Sequence, residues 1–95
     1  MTGEEFQRSL AGDAPPAHLS APLLALWWDA RQDWQRAHEA AQSGEDADSA
    51  WVHAYLHRKE GDLANAGYWY RRAGKPMPQG TLNDEWTAIA AALAP

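Results

Sequence analysis

Apolar positions recur along this chain three or four residues apart, and polar breaks divide them into segments. Thr2 with Glu5 three residues later has the form of a capping box, and Phe6 and Leu10 share one face of a short helix that Gly12 ends. Asp13-Ala14-Pro15-Pro16 is a loop, because the paired prolines cannot continue a helix. Ser20 is placed to cap the next helix, Pro22 is tolerated in its first turn, and Leu19 can staple onto Leu24. Leu23, Leu26, Trp27, Ala30, Trp34, Ala37 and Ala41 then keep helical phase, which fits either one long helix or a hairpin broken near Gln32-Asp33. After the polar loop Ser43 to Asp48, Val52, Leu56 and Leu63 carry the next stripe. Gly61 marks a turn there, with Asp62 as the following N-cap. Leu63, Ala66, Tyr70 and Ala73 face one way until Gly74-Lys75-Pro76 stops the helix. Thr81 with Asp84 forms a second capping-box pattern ahead of the stripe Leu82, Trp86, Ile89 and Leu93.

An internal repeat chooses between the long helix and the hairpin. A shift of 29 residues lays Leu23 to Trp28 on Val52 to His57, Asp33 on Asp62, and Ala37 on Ala66. Because Gly61-Asp62 is a turn, the matching Gln32-Asp33 becomes one too. The expected architecture is all-α: one domain over residues 1–95, with an N-terminal helix and proline loop (1–19), hairpins at 20–43 and 48–78, and a capping helix at 81–94. Trp27, Leu56, Leu63, Ala66 and Tyr70 are its expected core.

Composition supports helix. Alanine supplies 20 of 95 residues, while Val52 and Ile89 are the only valine and isoleucine, so little β-forming material is present. Six tryptophans and three tyrosines must build much of the core. One fully buried indole removes roughly 200 Å² from water, about 5 kcal/mol gross. A domain this small cannot hide six of them completely, which places at least one tryptophan at a contact surface. With no cysteine, disulfides, thiolate metal sites and cysteine nucleophiles are excluded, and a reducing cytoplasm is the expected compartment. A net charge of −5 argues against nucleic acid as a partner. No apolar run approaches the ~20 residues that span a bilayer, and the acidic start is unlike a signal peptide, so no membrane association is expected.

Ala54, Gly61, Ala66, Tyr70, Ala73 and Pro78 together resemble the tetratricopeptide-like helical repeats, with their small residue, turn glycine, small, aromatic and small series, and closing proline. Trp69-Tyr-Arg-Arg-Ala73 is similar to the second helix of the related short repeats. In the first unit Leu24, Ala25, Trp28 and Ala37 fit, while Ala41 stands where an aromatic is expected. The resemblance covers Leu23 to Pro78, with a period of 29 residues against the family's about 34, and with His53 and His57 in place of a leucine and an aromatic. Tyr55 to Asp62 with Trp69 to Ala73 also resembles short bacterial proteins of unknown function, which implies no activity.

The resemblance implies that first-helix positions line a recognition surface. The 29-residue shift sets Leu24 against His53, Trp28 against His57, and Arg31 against Glu60. This strip is the expected docking site for a protein or peptide partner, unless the N-terminal helix covers Leu24 and Trp28 through Phe6 and Leu10. Self-association through an uncapped end is a further expectation. His53, His57 and Glu60 share one helical face and are the residues that would hold a metal or small ligand. No metal or cofactor is expected: a zinc site needs a third ligand and an ordered second shell, and His57 and Glu60 are expected simply to pair, with His53 beside them. His38 is expected to pack on Trp34, one turn earlier. Arg58, Lys59, Arg71, Arg72 and Lys75 fall within one hairpin, and Arg58, Arg71, Arg72 and Lys75 are candidates for an anion patch. The serines read as caps or loop residues, and no nucleophile, paired-carboxylate or phosphate-loop motif is present. A non-enzymatic interaction module is the resulting expectation.

Overall fold

Local capping chemistry sets the helix starts. In a computed structural model that describes all 95 residues, the elements are α1 (Gly3–Ser9), α2 (Ala21–Ala30), α3 (Trp34–Ser43), α4 (Ala47–Lys59), α5 (Leu63–Ala73) and α6 (Leu82–Leu93). There is no strand. Both capping boxes form: Thr2 and Glu5 exchange bonds at α1, and Thr81 and Asp84 do so at α6. Ser20 occupies the N-cap of α2 without a side-chain bond, leaving Pro22 in the first turn to pre-set the backbone.

The hairpin turns are built alike. Asp33 and Asp62 each accept a hydrogen bond from the backbone three residues on, at Arg36 and Asn65. Their own amides return to Trp28 and His57 at 3.0 and 2.9 Å. The residue before each aspartate has positive φ, Gln32 at 64° and Gly61 at 88°. Glycine adopts that conformation freely, whereas Gln32 holds it under steric strain.

The helices α2 and α3 pack as one hairpin, α4 and α5 as another, and α6 lies against α2 and α4. A main cluster joins Phe6, Leu26, Trp27, Val52, Tyr55, Leu56 and Ile89, and a smaller one places Ala54, Ala66 and Tyr70 between α4 and α5. Trp27 is the one fully buried indole, and its Nε1–H donates to the Ser9 carbonyl at 3.2 Å. Phe6 stacks on Trp86, whose indole N–H donates to the Leu26 carbonyl at 3.3 Å. The N-terminal helix therefore covers Trp27 and Trp86.

Leu63 is the exception among the expected core residues. It is 59% exposed. As the first residue of α5 it stands about 60° around the helix from Ala66, at the open end of the α4/α5 contact, so the buried stripe narrows to Ala66 and Tyr70.

Two buried carboxylates tie the helices together. Asp29 accepts bonds from the Tyr55 hydroxyl and the Lys59 ammonium, both at 2.8 Å. Glu85 accepts from the Tyr70 hydroxyl at 2.6 and 2.8 Å and from Arg58 at 3.0 Å. Burial first, and then the adjacent carboxylate, raises both tyrosine pKa values well above the ordinary phenol range.

Candidate metal centre

His53 and His57 stand one turn apart on α4, so their rings stack with centroids 4.8 Å apart. Helix α3 brings a third imidazole to them. His38 lies on the face of Trp34 at 4.7 Å, as the sequence suggests, and its free edge meets α4. His38 Nε2 and His53 Nε2 are 3.0 Å apart, one ring donating and the other accepting. The His38 and His57 centroids are separated by 5.3 Å. A ligand nitrogen from each of the three rings lies within 4.8 Å of the other two. Four-coordinate zinc with bonds near 2.0–2.1 Å needs its donors about 3.3 Å apart, so the spacing requires only modest ring movement.

Aromatic rings close the sides. Trp69 from α5 stacks on His53 at 3.9 Å, and Trp34 meets His57 edge-on at 6.2 Å. The Trp34 indole N–H donates to the Leu56 carbonyl at 3.0 Å, which fixes the plane on which His38 rests. His53 and His57 are 3% and 7% exposed, and His38 is half-buried.

Electrostatics keep two of the rings neutral. Burial, with the neighbouring His38, His57 and Arg72, pushes His53 down to about 4. Burial and His57 also lower His38, against an opposing pull from Glu60 and Glu39. Neutral imidazole is the ligating form, so at pH 7 these rings need lose no positive charge to take a cation. It follows that mild acidification to pH 6 does not charge His53, contrary to what an ordinary histidine pKa would give.

Glu60 has a different role from the ligand suggested by its spacing. Its Oε1 lies 2.6 Å from His57 Nδ1. A carboxylate there orients the ring while leaving Nε2 outside the contact. The third imidazole comes from the tertiary packing, whereas the outer partner is the local His57–Glu60 pair that the sequence spacing suggests. His38 was overlooked because its partners are 15 and 19 residues away and its stacking on Trp34 was a sufficient explanation in sequence.

The six residues of the expected docking strip do not form one surface. Residues two apart on a helix project about 200° apart, so Arg36 leaves α3 on the face opposite Trp34 and His38. Arg36 lies 4.7 Å over Trp28, while Trp34 and His38 meet His57. Helix α3 thus separates Leu24 and Trp28 from His53, His57 and Glu60. Leu24 and Trp28 are half-buried against the main core. Arg31 sits 4.8 Å over Trp27 and donates to the Leu10 and Gly12 carbonyls, so it clamps the N-terminal segment.

The basic residues of the second hairpin turn to different partners. Arg58 turns to Glu85 and the Gly80 carbonyl, and Lys59 to Asp29. Lys75 lies 4.2 Å over Trp51, and Arg72 lies over Tyr68 and Trp69 at 5.9 and 5.0 Å. Arg71 stays exposed. The spacing of Arg58 and Lys59 gives no sign of their partners, because those carboxylates belong to α6 and α2, whereas Arg72 lies over aromatics three and four residues away on its own helix.

Compared with protein-family models, with curated proteins and with solved structures, the chain matches none. No helix is long and apolar enough to cross a membrane.

Proposed function

We propose that this protein binds a transition-metal ion through His38, His53 and His57. The observation that carries the reading is the convergence of three imidazole nitrogens within 4.8 Å, two of the rings on one helix and the third on its neighbour. All-nitrogen donors suit zinc, copper or nickel and disfavour magnesium and calcium, which take oxygen ligands. Glu60 behind His57 supplies the outer-shell partner that ligating histidines use. The two hairpins are read as copies of one tetratricopeptide-like unit, supported by their matching aspartate caps and turn bonds. The second copy has exchanged its groove residues for metal ligands.

Calorimetry of the full chain with zinc and nickel at pH 7.5 tests the reading. Micromolar or tighter one-to-one binding is expected, weakened at least ~10-fold in His38→Ala. His38 is the sharpest probe because it is half-buried, where His53 and His57 are buried, and it stacks on Trp34. Failure of the wild-type protein to bind either ion overturns the proposal. Glu60→Gln separates this site from the alternative grouping of His57, Glu60 and Asp62, since it weakens the first by ~10-fold and abolishes the second.

A further inference from the structure

We infer that this centre keeps one coordination position for an exchangeable small anion, with Arg72 at its rim. The inference rests on the metal reading above and adds what the ion does there. A four-coordinate ion held by three imidazoles needs one more donor, and the neighbouring side chains are committed elsewhere. Glu60 is bonded to His57 Nδ1, on the far edge of that ring from Nε2, so it cannot also reach an ion held at Nε2. The Asp62 carboxylate caps α5, accepting from the Asn65 amide at 3.2 Å and from its side-chain nitrogen at 3.1 Å. Glu39 is exposed and accepts from Gln35 at 3.1 Å. Trp34 and Trp69, which flank the imidazoles, have no lone pair to offer. The fourth donor therefore comes from solvent.

The centre is also reachable. No side-chain nitrogen or oxygen of this protein is both sealed from solvent and without a hydrogen-bond partner. The one side-chain bond of His57 is the Nδ1 contact with Glu60, so its Nε2 touches solvent. Charge then selects the ligand. Three neutral imidazoles leave a divalent ion its full charge, of which Glu60 offsets one unit. Arg72 adds positive potential, since its guanidinium lies 5.0 Å over the Trp69 ring that stacks on His53. A monoanion such as a carboxylate, azide or hydroxide suits the vacant bond, entering as the metal-bound water leaves, with no change of oxidation state. A closed structural site would instead draw its fourth ligand from the chain.

Cobalt-substituted full-length protein gives the test, because visible bands of cobalt(II) report coordination number and ligand exchange directly. Intense visible absorption is expected on loading, with a saturable shift on titrating azide or acetate up to ~100 mM. Arg72→Ala should weaken the anion ~3- to 10-fold while leaving cobalt affinity within ~2-fold. A cobalt spectrum unmoved by either anion shows a saturated shell and overturns the inference while leaving the metal reading intact. Absence of cobalt bands, together with no heat of zinc binding, overturns both. An anion response unchanged in Arg72→Ala removes Arg72 from the rim.

Discussion

The two hairpins share a turn and differ in what fills the groove beside their first helix. Asp33 and Asp62 cap their second helices identically, and Trp27 and Leu56 occupy matching, fully buried positions. One turn of helix away the equivalence ends. Leu24 and Trp28 pack against apolar core, whereas His53 and His57 receive an imidazole from the neighbouring helix. The two hairpins thus match in the contacts that define their turns and differ in the groove beside them.

The shared part should yield the largest effects. Trp27→Ala is expected to cost about 3–5 kcal/mol, and Trp28→Ala, half-buried beside it, about 1–2 kcal/mol. Urea titrations of both variants measure the difference. Equal losses would show that the two indoles carry the core jointly and that the distinction between core and groove is mistaken in the first hairpin.

Acid should act through the histidine cluster that α4 of the second hairpin builds with α3 of the first. His53 titrates at about 4 when folded and near 6.5 when unfolded, so folding favours its neutral form. That contribution is fully present above pH 6.5 and is lost as the pH falls from 6.5 to 4. His38 from α3, shifted in the same direction, adds to it. Denaturant midpoints of metal-free protein at pH 7 and pH 4.5 should therefore diverge less in His53→Leu, which restores the residue type of the first hairpin at that position. An undiminished acid loss in that variant would show that His53 is not its source.

Legibility in the sequence followed the range of the interaction. Capping boxes, the proline loop and the Gly61-Asp62 turn are decided within four residues and are readable there, whereas the Gln32-Asp33 turn is readable only through its match to Gly61-Asp62 under the 29-residue shift. His38 meeting His53, or Glu85 meeting Tyr70 and Arg58, depends on which helices become neighbours. No local pattern encodes that. The spacing of His53, His57 and Glu60 signalled a site, but the division of labour within it required the position of Glu60 relative to the ring edge.

The turns offer a smaller contrast with opposite signs. Gly61 has φ of 88° and nothing within 4 Å of a side-chain position, so Gly61→Ala loses about 1 kcal/mol from backbone strain alone. Gln32 already bears that strain, and Gln32→Gly should stabilise by up to about 1 kcal/mol after the added freedom of the unfolded chain is subtracted. Thermal melts of the pair decide it. Destabilisation by Gln32→Gly would mean that the Gln32 side chain contributes more than its backbone costs.

The smallest expected effect is at Leu63, the residue whose equivalent in the first hairpin is Trp34. Both open the second helix of their hairpin, directly after the aspartate cap. Trp34 reaches across to donate to the Leu56 carbonyl and supports His38, whereas Leu63 is 59% exposed. Leu63→Ala should therefore change stability by less than about 0.5 kcal/mol, while Trp34→Ala costs about 2 kcal/mol through its lost contact and hydrogen bond. Zinc affinity should move with Trp34→Ala and stay constant in Leu63→Ala, because only the first supports a ligand. A loss above about 2 kcal/mol in Leu63→Ala would show that this side chain is covered in solution, and size-exclusion of the wild type would then locate the cover in a second copy of the chain.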